Sequence, residues 1–129
     1  MDYEIFEGLL SRQPPFSRSE RVADLLKEEV ARMLLAEIKD PRVQGLVTVI
    51  SVKVTKDLRH ANFFVTVIGG MDAEKAAMKG LARASGFIRK SLGKRLHMRR
   101  IPELHFRLDE TVKAQEHIEG LLRKIHEEQ

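Results

Sequence analysis

Between Lys75 and Arg100 the chain places nine Lys and Arg residues and no Asp or Glu. Side chains of that type, at that density, can do one kind of chemistry: they can hold a polyanion. Lys75, Lys79 and Arg83 stand four apart, which sets them on one face of a helix. Arg89, Lys90, Lys94 and Arg95 follow, and Arg99-Arg100 carry the charge into the next loop. Elsewhere the balance is neutral to acidic, with six basic against nine acidic residues over 1–40, four against three over 41–74, and four against seven over 101–129. A net charge of +4 therefore hides a strongly one-sided field, the electrostatic footprint of a nucleic-acid-binding surface. The plain alternative is a well-solvated basic helix with no partner. If about five phosphates of a single strand are neutralised, affinity should fall with a log-log salt slope of about −3.5.

Catalytic arrangements fail on inspection. A phosphate-binding loop needs G-x-x-x-x-G-K-[ST], so that backbone amides wrap a phosphate which the lysine reaches. Gly93-Lys94 supplies the lysine, but Ile88 stands at the first glycine position and Arg95 follows. Neither G-x-G-x-x-G nor G-x-S-x-G occurs. Cysteine is absent, which removes disulfides, thiolate metal sites and thiol nucleophiles. The histidines, at 60, 97, 105, 117 and 126, form no i,i+4 pair suited to a helical zinc site, and His97 and His105 read as surface residues. Asp40, Asp57 and Asp109 fall at element boundaries, where capping and turn formation account for them. No enzyme, cofactor or metal is expected.

The elements that must carry the charge follow from periodicity. Residues 1–16 stand apart as an N-terminal extension, isolated by Pro14-Pro15; Tyr3, Phe6 and Leu10 make it either a short helix or a loose arm. The domain proper spans 17–129. Ser17 and Glu20 have capping-box spacing, and Val22, Leu25, Leu26, Val30, Met33 and Leu34 mark one apolar face of a helix ended by Asp40-Pro41. Ile50, Val52 and Val54, then Ala61, Phe63, Val65 and Val67, alternate as two strands of a hairpin joined by Lys56–Arg59. Gly69-Gly70 closes it. Asp72 is a candidate N-cap for a second helix, which Ala84-Ser85-Gly86 interrupts. Ile88, Leu92 and Leu96 line a third helix, whose exposed amino end would favour phosphate. After Pro102, Leu104, Phe106 and Leu108 form a last strand. Ile118, Leu121, Leu122 and Ile125 stripe a terminal helix, expected to pack on its own sheet. Helices mixed with a small sheet, without regular alternation, indicate a two-layer α+β fold.

That order resembles the type II KH fold, in which a G-x-x-G loop between two helices clamps a nucleic-acid backbone. No G-x-x-G occurs here. Ala84-Ser85-Gly86 stands in its place, as in the helix-kink-helix of ribosome-binding factor A. Further segments resemble the same family in order: Phe16–Val22, Asp40-Pro41-Arg42, Leu92–Leu96, Pro102–Phe106 and Ile118–Leu122. The resemblance implies a KH-like type II domain with an added C-terminal helix. It also implies a non-catalytic factor that binds 16S rRNA on the free 30S ribosomal subunit and assists late maturation, especially in the cold. By analogy RNA contact falls on Lys79, Arg83, Ser85, Arg89, Lys90, Lys94, Arg95, Arg99 and Arg100, with Ala84 and Gly86 shaping the kink.

Two other readings compete. A helix-turn-helix duplex reader would present polar side chains such as Asn or Gln to base edges, and residues 87–96 have neither. An adaptor would act through its acidic terminal helices. No apolar run approaches the roughly 18 residues a bilayer span requires, and Met1-Asp2-Tyr3-Glu4 has no basic leader. A cytoplasmic monomer, independent of membranes, is the expectation.

Overall fold

A computed structural model describes residues 17–127; the extension expected over 1–16 lies outside the described residues. Helix α1 spans Arg18–Ala36. The Ser17 hydroxyl accepts from the Glu20 amide at 3.2 Å, as the capping-box spacing predicts. Ala23, Leu26, Val30, Met33 and Leu34 form its buried face, while Leu25 stands half out of it.

Strands β1 (Val47–Val54) and β2 (His60–Val67) pair antiparallel. The register steps from Val49↔Val65 to Ser51↔Phe64, so Ile50 is the extra residue of a β-bulge. A bulge changes which alternate side chains face inward. The expected trio of Ile50, Val52 and Val54 is corrected accordingly: Val47 and Val49 face the core before the bulge, Val52 and Val54 after it.

Helix α2 spans Gly70–Arg95 without interruption. Two expectations change here. The N-cap is Gly69, at φ 120°, followed by Gly70 at φ 87°; both occupy backbone that side-chain-bearing residues rarely adopt, and Asp72 lies inside the first turn. The break at Ala84-Ser85-Gly86 is also absent. Ala77 and Leu81 before it, and Ile88 and Leu92 after it, are all fully buried in one continuous helical phase. An interior glycine costs about 1 kcal/mol relative to alanine, whereas burying Ile88 and Leu92 contributes about 1.5–3 kcal/mol each. Packing wins.

Strand β3 (Glu103–Leu108) joins β2 in parallel, giving the sheet order β1-β2-β3. Residues from α1, α2 and all three strands share one core. The fully buried Phe63 ring stacks on the partly buried Phe106, with centroids 5.1 Å apart. Helix α3 (Val112–Glu127) touches β2. The stripe expected to pack there is only partly covered, since Leu122 and Ile125 are each 44% exposed.

The three boundary aspartates all make turns. The carboxylates of Asp40, Asp57 and Asp109 accept the amides of Arg42, Arg59 and Thr111 at 2.9, 3.1 and 3.0 Å. At Asp40 the Arg42 guanidinium adds a side-chain hydrogen bond to the same carboxylate. These contacts, the guanidinium first, hold the carboxyl down at about 2, below the ordinary value of about 3.9. Because the folded state depresses this pKa, its contribution is present above about pH 4 and is lost as pH falls through about 2. Urea midpoints measured from pH 5 to pH 2 should fall less steeply in Asp40→Asn than in the wild type; identical profiles would refute the assignment. Helix α2 sits hard against this turn, since a Cβ at Gly80 would lie 2.7 Å from Val43 Cγ2.

Candidate nucleic-acid interface

The unbroken helix changes what the basic residues build. At 3.6 residues per turn, Lys75, Lys79, Arg83, Lys90 and Lys94 fall within an arc of about 100°, opposite the buried Ala77, Leu81, Ile88 and Leu92. All five are exposed. With a rise of 1.5 Å per residue, the stripe from Lys75 to Lys94 is about 28 Å long. There is no second helix start beside Ser85, so the expected phosphate seat on an exposed helix N-terminus is corrected to a line of charges on one unbroken helix. The helix-turn-helix reading goes with it, since it needs two helices joined by a turn.

The other residues expected at the interface do different things. The Ser85 hydroxyl donates to the Ala82 carbonyl at 2.9 Å and is engaged within its own helix. Gly86 is exposed mid-stripe, and a Cβ built there meets nothing within 4 Å. Rather than shaping a break, Ala84 and Gly86 lie within continuous helix. Arg89 Nη2 donates to the Ile101 carbonyl at 3.0 Å, which ties the 96–102 loop to the helix. Arg95 leaves the set: its guanidinium pairs with Glu37 and lies 3.8 Å from Glu29, so it clamps α2 to α1 and its charge is neutralised there.

Arg99 and Arg100 are exposed and meet partners that sequence spacing did not reveal. Together with Arg18, Arg59 and His97 they line a cleft of about 580 Å³. Arg18 comes from the first turn of α1 and Arg59 from the β1–β2 turn. That turn is held by the Thr55 hydroxyl donating to Asp57 at 2.6 Å, a contact that lowers the Asp57 pKa, helped by the Arg59 amide. It also places Leu58 at φ 62°, an uncommon conformation for a branched side chain. Three separate segments thus converge on one cationic cleft, continuous in sequence with the C-terminal end of the stripe. Only Asp57 among its lining residues carries negative charge.

Away from the stripe, His60 Nδ1 and His105 Nε2 lie 3.0 Å apart, with Glu103 Oε2 3.8 Å from the first. Among the described residues this is the one group able to hold a metal ion. Helical i,i+4 spacing could not disclose it, because its members come from neighbouring parallel strands. One neutral ring donating to the other satisfies the pair without an ion. No described helix is long and apolar enough to cross a membrane.

A family model described as ribosome-binding factor A matches residues 18–122. A ribosome-binding factor A from Gemmatimonas aurantiaca is 47% identical over 111 residues, covering 86% of this chain and 76% of that one. The crystal structure of ribosome-binding factor A from Thermus thermophilus aligns with a TM-score of 0.63 at 29% identity, covering 70% of this chain and 93% of that one. A homology model of the Thermus thermophilus factor, as fitted into the cryo-EM map of a 30S–RbfA complex, aligns at 0.50 with 31% identity over 64% of this chain and 90% of that one. These matches take in the α+β core, in the KH-like arrangement that the element order implied, and the family match runs from the first turn of α1 through the whole cationic helix into α3. No enzymatic family is among them. The chain belongs to the ribosome-binding factor A family.

Proposed function

We propose that the protein binds the free small ribosomal subunit through the phosphate backbone of 16S rRNA and assists late maturation of that RNA without catalysing a reaction. The observation that carries this reading is the cationic face of α2, free of acidic residues from Lys75 to Lys94, about 28 Å long and continued by the Arg18–Arg59–Arg99–Arg100 cleft. Phosphate contacts of this kind position a protein on nucleic acid without reading its sequence. The Thermus thermophilus relative fitted into a 30S complex supports the same partner. Residues proposed for RNA contact are Lys75, Lys79, Arg83, Lys90, Lys94, Arg99 and Arg100, joined by Arg18 and Arg59, with Arg89 and Ser85 holding the scaffold. A cytoplasmic monomer that needs no cofactor and matters most in the cold completes the reading.

Sucrose-gradient sedimentation of cell extract provides the test. The protein should travel with free 30S particles and be depleted from polysomes. An even spread across the polysome fractions would defeat the proposal.

A further inference from the structure

Phe87 stands where neither the core nor the charge accounts for it. Its ring is 53% exposed, while the three other described phenylalanines, Phe63, Phe64 and Phe106, are buried or half-buried. It is the one aromatic residue of α2. On a helix surface residues three and four apart are neighbours, so Phe87 lies beside Arg83 one turn behind it and Lys90 ahead, with Lys94 one turn further. Gly86 beside it is exposed, with open space where a Cβ would be, so the helix backbone is bare next to the ring. A phenyl group on a helix surface forgoes burial and has a lower helix propensity than Lys or Glu. Among the described residues, nothing buries it there.

The surroundings specify the occupant. It must be anionic, to meet Arg83, Lys90 and Lys94, and must offer a flat apolar face to the ring. An acidic peptide has the charge without the flat face. A base-paired duplex has flat faces, but they are stacked within the helix. An anionic bilayer would call for a whole apolar helix face, and that face of α2 is buried in the core. An unpaired nucleotide meets both requirements, because every base has a π-face and carries its phosphate with it.

We propose that Phe87 is a stacking platform for an unpaired nucleobase, with Arg83, Lys90 and Lys94 gripping the flanking phosphates and Gly86 giving the strand room to approach. This rests on the RNA-binding reading of the same face and adds to it a preference for single-stranded over paired segments.

The chain has no tryptophan, so Phe87→Trp creates a lone reporter at the site. The full chain is titrated with a single-stranded RNA oligonucleotide, an abasic strand of equal length, and an RNA duplex. Single-stranded RNA should quench the tryptophan, and Phe87→Ala should bind it about tenfold more weakly with an unchanged salt slope, since the phosphate contacts remain. The abasic strand should bind wild type and Phe87→Ala alike. Equal affinity of wild type and Phe87→Ala for single-stranded RNA, or quenching as strong with the abasic strand, would overturn stacking while leaving phosphate binding intact. Tryptophan emission that shifts with protein concentration alone, or with anionic vesicles and not RNA, would overturn it in favour of a second copy or a lipid surface. A wild-type chain that binds none of the three strands removes the RNA-binding reading, and stacking with it.

Discussion

The triple variant Lys79→Glu/Lys90→Glu/Lys94→Glu is expected to lose association with free small subunits while unfolding at nearly the wild-type temperature. The three lysines are exposed on the outward side of α2, and among the described residues none is held in an ion pair. Their loss therefore takes no ion pair from the fold. Removing three phosphate contacts from a single strand lowers the salt slope by about two units, which at 0.1 M salt amounts to about a hundredfold in affinity. The introduced carboxylates add repulsion on top. Pelleting with purified 30S particles at several salt concentrations measures both quantities. Binding within a few-fold of wild type, with an unaltered slope, would show that the stripe is a solvated helix face and nothing more.

Phe63→Ala should do the reverse, leaving the cationic face intact and weakening the scaffold beneath it. Phe63 is fully buried on the central strand, stacked on Phe106 and paired in register with Val52 and Phe106. Truncating a buried phenylalanine costs about 3–5 kcal/mol, the lost transfer energy plus the cavity left behind. For a domain of this size that lowers the melting temperature by about 10–20 °C. Circular dichroism melts provide the measurement, and a loss under about 1 kcal/mol would mean the centre of the core lies elsewhere. At temperatures where the variant is still folded, its affinity for subunits should match the wild type. The two variants together separate surface from scaffold.

Local signals were legible in the sequence where local chemistry decides the outcome. The Ser17–Glu20 cap, the alternation of Ala61 to Val67, and the turn-making Asp40, Asp57 and Asp109 each depend on neighbours within a few residues. Ala84-Ser85-Gly86 was misread because a weak local preference was weighed without the burial of Ile88 and Leu92 that overrides it. Asp72 yielded its expected capping role to Gly69 for a similar reason: the backbone reversal out of β2 needs positive φ, which glycine supplies. Ile50 shows another limit, since a bulge is a property of two paired strands and leaves no mark on one. Arg95 looked like its neighbours in a charge run, yet its fate is set by Glu37, the C-cap of another helix. Arg18 and Arg59 could not be joined to Arg99-Arg100 without the topology that brings α1, the hairpin turn and the 96–102 loop to one place. The family resemblance supplied the expected partner class; which charges share one exposed face came only from the fold.

The parallel union of β2 with β3 also dictates an order of assembly. β1 and β2 meet across a short turn and can close early. β3 can find its register only after α2 has reversed the chain over the sheet, a long crossover that must be closed before the pairing contributes. Two of the ties that set the cationic cleft belong to this late step: the Glu103 amide donates to the Arg59 carbonyl at 2.8 Å, and Arg89 grips Ile101. During synthesis, then, the stripe of α2 emerges after α1 and the hairpin but before β3, while its frame is still incomplete. A nascent chain completes its cationic surface only when the last strand has left the ribosome and docked.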